Sequence, residues 1–147
     1  MLKAVGIFTL IAVCTLAGFK LSDKVKARHK KLTDYCLLLS EISDRIRTGT
    51  ELFVVLKDEK ARELVVIDGL DIKASKGAIN AKDRSILDEF FSRLGLLDTR
   101  GEIDRCKTYL ELIKKQQTLA EAEVKSKAGL YSKLGLFAGL FIAVILV

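Results

Sequence analysis

Hydrophobic positions along the chain fall into three patterns. From Ala4 to Phe19 the sequence AVGIFTLIAVCTLAGF is apolar without interruption by charge, and the run LGLFAGLFIAVILV repeats this from Leu134 to Val147. Between them the apolar residues are periodic. Leu21, Val25, Leu32, Tyr35 or Cys36, Leu39, Ile42 and Ile46 recur at the helical spacing, predicting a long helix from Lys20 to Thr48. The run Leu37-Leu38-Leu39 widens its face and predicts more than one covering helix. No Pro or Gly separates Phe19 from Thr48, so this helix is free to continue the first apolar run. Gly49 is the candidate left-handed cap, and Thr50 the N-cap of a short helix holding Leu52, Phe53 and Leu56.

Residues Glu59 to Asp68 read as a helix. Val65-Val66-Ile67 has strand propensity, but one strand needs a partner and no other strand is evident. Lys73 to Ile79 reads as a loop. Asn80 caps a helix over Ala81–Leu94 with Ile86, Leu87, Phe90, Phe91 and Leu94 on its apolar side, and Gly95 stops it. Asp98 or Thr99 caps a last helix whose face carries Ile103, Cys106, Leu110, Ile113, Gln117, Ala120 and Val124, unbroken until Gly129. The expected fold is all-α: a small antiparallel helical bundle flanked by N- and C-terminal transmembrane helices. Its divisions are a membrane helix over 1–19, a cytoplasmic bundle over 20–133 and a second membrane helix over 134–147.

Charge sharpens this picture. All 19 acidic residues, and 24 of the 25 basic ones, lie between Lys20 and Lys133. Sixteen helical residues rise about 24 Å against a hydrocarbon core of about 30 Å, and Lys3 can extend the first segment by snorkelling. A cleaved signal peptide is the alternative, with Thr15 and Ala17 offering a small-residue site, whereas Val13 spoils a lipoprotein site at Cys14. Lys20, Lys24, Lys26, Arg28, Lys30 and Lys31 follow the first segment, and Lys125, Lys127 and Lys133 precede the second. Both flanks therefore place the middle on the cytoplasmic side of the cell membrane. In the last segment Gly135, Gly139 and Ala143 form a small-residue stripe that lets helix backbones approach. Its partner is the first segment, a second copy of the chain in a homo-oligomer, or another membrane protein.

The candidate chemistry is sparse. His29 is the lone histidine, in a basic run, and Cys14, Cys36 and Cys106 have no metal-ligand spacing. GLDIKASKG lacks the Gly-Lys-Ser/Thr order of a phosphate loop. No catalytic residue, cofactor or metal site is expected, and a basic excess gathered at the apolar ends points to a lipid bilayer rather than nucleic acid. Arginine is distributed differently. With the two long helices antiparallel, Thr48–Glu51 and Gly95–Gly101 meet at the end farthest from the membrane. That end gathers Arg45, Arg47, Arg93, Arg100 and Arg105. Arginine suits protein interfaces, so these five are candidate partner-binding residues. Internal pairing with Asp44, Asp98, Glu102 and Asp104 is the competing use.

The terminal LGLFAGLFIAVILV after a long charged helix, and ILDEFFSRLGLLDTRGEI over Ile86 to Ile103, resemble the stage III sporulation protein AB family. Gly18-Phe19 and the pattern Glu41, Ile42, Gly49, Thr50 also fit, giving a resemblance over about 1–56 and 80–147. Glu51 stands where the family has Pro, and the middle is shorter. The resemblance implies a non-enzymatic membrane protein of the channel-like complex between mother cell and forespore, with a soluble domain similar to the cytoplasmic domain of the type II secretion and type IV pilus platform protein F. It further implies a stage III sporulation protein AA-like ATPase and other membrane subunits of that complex as partners. From the residues alone, a membrane-anchored regulator or sensor is the alternative.

Overall fold

The computed structural model describes residues 2–49, 52–69 and 71–146. The side chains of 2–5, 7, 8, 10, 11, 14, 52, 53, 60, 128, 132, 142, 143, 145 and 146 lie outside that description. The elements are α1 (Leu2–Arg47), α2 (Leu52–Leu56), α3 (Glu59–Leu64), β1 (Val65–Asp68), β2 (Asp71–Ala74), α4 (Ala81–Ser92), α5 (Thr99–Glu123), a π turn (Val124–Ala128) and α6 (Gly129–Leu146). They divide into two compact units, one of Met1–His29 with Ala120–Val147 and one of Lys30–Leu119. Helix α1 runs without interruption, as the lack of a breaker predicts. Gly49 ends it at φ 73°, a conformation that costs L side chains their Cβ clearance. Thr50, expected to cap α2, lies outside the described residues.

In the Lys30–Leu119 unit the helical periodicity becomes a core. Leu32, Tyr35, Leu39 and Ile42 of α1, Leu87 and Phe90 of α4 and Ile113 of α5 are all fully buried. Phe90 anchors the aromatic part, edge-on to Phe91 with ring centroids 5.2 Å apart and tilted against Tyr109 at 5.4 Å. Offset and edge-on geometries suit the ring quadrupoles. Asn80 and Asp83 exchange hydrogen bonds in a capping box, 2.7 Å from the Asp83 amide to the Asn80 side chain and 3.1 Å in return, which starts α4 where the sequence predicts. Helix α4 ends two residues earlier than expected, at Ser92.

The expectation of a helix through Asp68, and with it an all-α fold, is corrected by a β-hairpin. Helix α3 starts at Asp58, whose carboxylate accepts from the Glu59 amide at 2.8 Å, and stops at Leu64. Val65 is extended, and β1 pairs antiparallel with β2 from Val65↔Ala74 to Asp68↔Asp71, across a turn in which Gly69 has φ 62°. The partner strand that seemed missing is Asp71-Ile72-Lys73-Ala74, where Ile72 and Ala74 are buried and the two charged residues are exposed. A two-stranded ribbon is marginal alone, and side chains from α1 and α4 fasten this one. The Tyr35 hydroxyl donates to the Leu64 carbonyl at 2.6 Å, and the Ala74 amide donates to Asp88 Oδ1 at 2.8 Å. The protein is thus mostly helical with one small sheet.

The second unit pairs the start of α1 with the end of α5, the π turn and α6. Arg28 meets Glu123 at 2.9 Å, while Gly18 lies beside Tyr131 and Gly135, so the two stretches run antiparallel. A Cβ added at Gly18 would stand 2.7 Å from the Tyr131 carbonyl oxygen and 3.2 Å from the Gly135 Cα. Only glycine permits so close a backbone approach. Among the described residues, no helix is long and apolar enough to cross a membrane. The flanking transmembrane helices expected over 1–19 and 134–147 are therefore not confirmed; side chains outside that description make up about half of the first segment and about a third of the second.

Candidate functional site

The arginine-bearing turn is built around one carboxylate. Helix α4 closes at Arg93, Gly95 reverses the chain at φ 86°, and the Asp98 side chain accepts from the Gly101 amide at 3.2 Å to start α5. A Cβ at Gly101 would meet Asp98 Oδ1 at 2.8 Å and the Leu97 Cβ at 3.1 Å, so the cap fits because this position is glycine. Glu102, buried in the first turn of α5, accepts from the Gly95 amide at 3.1 Å and the Leu97 amide at 2.9 Å. Arg105 holds the same Oε1 at 3.2 Å and also donates to the Arg93 carbonyl. Two backbone donors and a guanidinium therefore converge on Glu102, and the turn is rigidified at its base. Its apex is apolar and open: Leu96 is 73% exposed and Leu97 48%.

The five predicted arginines divide between these roles. Arg105 is largely buried and braces the turn. Arg93 is exposed beside Glu89 at 3.8 Å, and Arg100 is exposed on the first turn of α5. Arg45 and Arg47, at the end of α1, are exposed and lie 3.5 Å from Glu41 and 4.0 Å from Asp44. Of the internal partners anticipated, Asp44 and Glu102 are used. The structure brings Arg93 and Arg105 together; Thr50 and Glu51, part of the expected meeting with Arg45 and Arg47, lie outside the described residues.

In the other unit, Gly135 faces Gly18, and Gly139 is buried. Ala143, the third member of the stripe, has its side chain outside the described residues. Small groups are inside here and large apolar ones outside: Leu16, Phe19, Phe137, Phe141 and Val144 are each more than half exposed. Charge is partitioned too. This unit has eight basic and three acidic side chains, a net +5, against 17 and 16, a net +1, in the Lys30–Leu119 unit.

A third feature escaped the sequence reading. Leu38 and Leu39 are buried, but Leu37 is 66% exposed and lines a cavity of about 290 Å³ between α1, α2 and α3. Its only signal in the sequence is the excess of apolar positions in the Leu37-Leu38-Leu39 run. Among the described residues no cluster of three or more His, Cys, Asp or Glu is arranged to hold a metal ion. Cys36 and Cys106 are buried free thiols, both pushed above their ordinary range by burial, Cys106 to about 11.

These features define a class: a small, mostly helical protein with a near-neutral unit and a strongly basic helix pair whose exterior is apolar. The family described as stage III sporulation protein AB matches residues 55–147, and the chain belongs to it. The match takes in the middle segment, 57–79, which the resemblance left out, and does not extend over 1–54. Family membership assigns the chain a role in stage III sporulation. No curated protein and no solved structure matches the chain.

Proposed function

We propose that the chain is a non-enzymatic membrane scaffold of a secretion-like channel complex between mother cell and forespore, docking a cytoplasmic secretion-type ATPase on the membrane. The observation that carries the membrane part is the inside-out packing of the Gly18–Gly135 helix pair. In water, exposing Leu16, Phe19, Phe137 and Phe141 forfeits about 1.5–3 kcal/mol for each large side chain left unburied; in hydrocarbon the same exterior costs nothing and close glycine contacts drive association. The net +5 of this unit suits an anionic headgroup layer. The Lys30–Leu119 unit then stands on the cytoplasmic, mother-cell side, as the positive flanks require. In this reading it resembles the cytoplasmic domain of platform protein F.

The ATPase partner follows from the family's likeness to secretion platforms, with Arg47 and Arg100 as the exposed basic contacts. Charge reversal at both, Arg47→Glu with Arg100→Glu, abolishes co-purification of the stage III sporulation protein AA-like ATPase from sporulating cells in mild detergent, while circular dichroism stays unchanged. Undiminished capture by the folded double variant refutes the docking assignment. Cysteine labelling of intact cells that reached residues in 20–133 from outside would refute the topology beneath it.

A further inference from the structure

The hairpin has two unlike edges. The Ser75 amide donates to the Leu64 carbonyl at 2.7 Å, and antiparallel pairing alternates from there. Val66 with Lys73, and Asp68 with Asp71, exchange hydrogen bonds across the ribbon, whereas the backbone groups of Val65, Ile67, Ile72 and Ala74 turn outward. On the β2 side the Ala74 amide turns to Asp88 of α4. On the β1 side the Val65 amide donates to the Ala61 carbonyl. The Ile67 N–H and the carbonyls of Val65 and Ile67 meet no partner among the described residues. The side chains beside them are apolar and uncovered, Val66 51% and Ile67 42% exposed. Open edges are commonly guarded by Lys, Pro or a bulge, and Val65-Val66-Ile67 has none of these.

We infer that β1 pairs antiparallel with β1 of a second copy of the chain, joining two hairpins into one four-stranded sheet. Unpaired backbone donors and acceptors along an edge select another strand as their occupant. Self-pairing is reciprocal about a two-fold axis at Val66, where each Ile67 N–H meets the Val65 carbonyl of the other copy. In that register Val66 opposes Val66 on one face and Val65 opposes Ile67 on the other, so both exposed side chains gain an apolar partner. Moving the axis to Ile67 sets Asp68 against Val66 instead. With the axis at Val66 no like charges oppose each other, since the two copies of Asp68, and the two of Lys73, stand about 14 Å apart. Two four-residue strands bury less than the roughly 1,200 Å² of a free-standing specific interface, so the pairing holds between chains already gathered. To that extent the inference rests on the membrane reading, which concentrates the chain in one plane.

The test uses the full chain in membranes of expressing cells, washed with alkaline carbonate and then oxidised with copper phenanthroline. Directly opposed residues without a hydrogen-bonded pair have Cα atoms about 4.5 Å apart, within disulfide reach, whereas about 14 Å is beyond it. Val66→Cys should give disulfide-linked dimers severalfold above the unsubstituted chain, while Asp68→Cys and Lys73→Cys stay at that background. Adding Ile67→Pro removes the edge donor without touching the bonds to β2, and should return Val66→Cys to background. Should Ile67→Pro fail to fold, as reaction of the Cys36 and Cys106 thiols would reveal, Ile67→Lys must produce the same loss. Retention in the washed membranes without a Val66 cross-link, equal cross-linking at all three positions, or indifference to both Ile67 variants overturns the pairing alone. Capture of a different protein by Val66→Cys does so too, and assigns the edge to that protein's strand. Release of the chain by the wash overturns the membrane reading and this inference with it.

Discussion

At the scale of single residues, burial has made two ionisable groups into reporters of the fold. Burial pushes the Tyr35 phenol from its ordinary 10.0 up to about 12, and the Cys106 thiol from 9.0 to about 11, with the neighbouring Glu102 adding to the latter. In each case the folded value lies above the unfolded one. The stabilisation is therefore complete below the unfolded value and is lost as pH rises towards the folded one. Urea midpoints should accordingly stay level up to pH 9.0 and fall between 9.0 and about 12. Tyr35→Phe flattens the part of that fall above 10.0, at the cost of the hydrogen bond to Leu64. Cys36 and Cys106 should react with maleimide only as the protein unfolds. Glu102→Ala strips the Gly95 and Leu97 amides of their acceptor and leaves Arg105 uncompensated. A loss of about 3 kcal/mol in chemical unfolding is the expected result.

Elements show where local patterning was sufficient and where it failed. The stop at Gly49, the chain reversal at Gly95 beyond the end of α4 and the cap at Asn80 were legible because each depends on one residue's own conformational preference or side-chain reach. The hairpin was not, because Val65-Val66-Ile67 reads alike as a strand and as a buried helical turn. The four-residue alternation of β2 is too short to declare a period. What decides it is tertiary: the phenol of Tyr35 holds the end of α3 at Leu64, where β1 begins, and the carboxylate of Asp88 holds β2 at Ala74. Tyr35 was legible only as a position on the apolar face of the first long helix. Helix pairing has its own test. Gly18→Ile drives a branched side chain against the Tyr131 carbonyl and the Gly135 Cα. Cysteine cross-linking between α1 and α6 should be lost, whereas Gly6→Ile, where nothing lies within 4 Å of the added Cβ, should leave it intact.

For the whole molecule, charge partition was readable from the outset, since both basic flanks border the apolar runs in the sequence itself. The Leu37 cavity was not, because an exposed leucine and a buried one look alike until α2 and α3 are placed. One feature of the helical column bears on how the chain tolerates change. The π turn at Val124–Ala128 holds one more residue per turn than the α-helices on either side, with Lys125–Glu121 at 2.8 Å and Lys127–Glu123 at 3.6 Å along it. Each residue advances an α-helix by about 100°, so five residues at the wider π spacing sweep about the same angle as four in the α-helix, and the turn absorbs its surplus without turning Gly135 away from Gly18. Excising Ser126 alone would restore an unbroken α-helical ladder and leave the glycine stripe within roughly 10° of its present direction towards Gly18. A single-residue deletion between Val124 and Ala128 should thus preserve cysteine cross-linking between α1 and α6, whereas a deletion between Gly129 and Gly135, where the α-helix has no surplus to release, should turn the stripe by about 100° and abolish it.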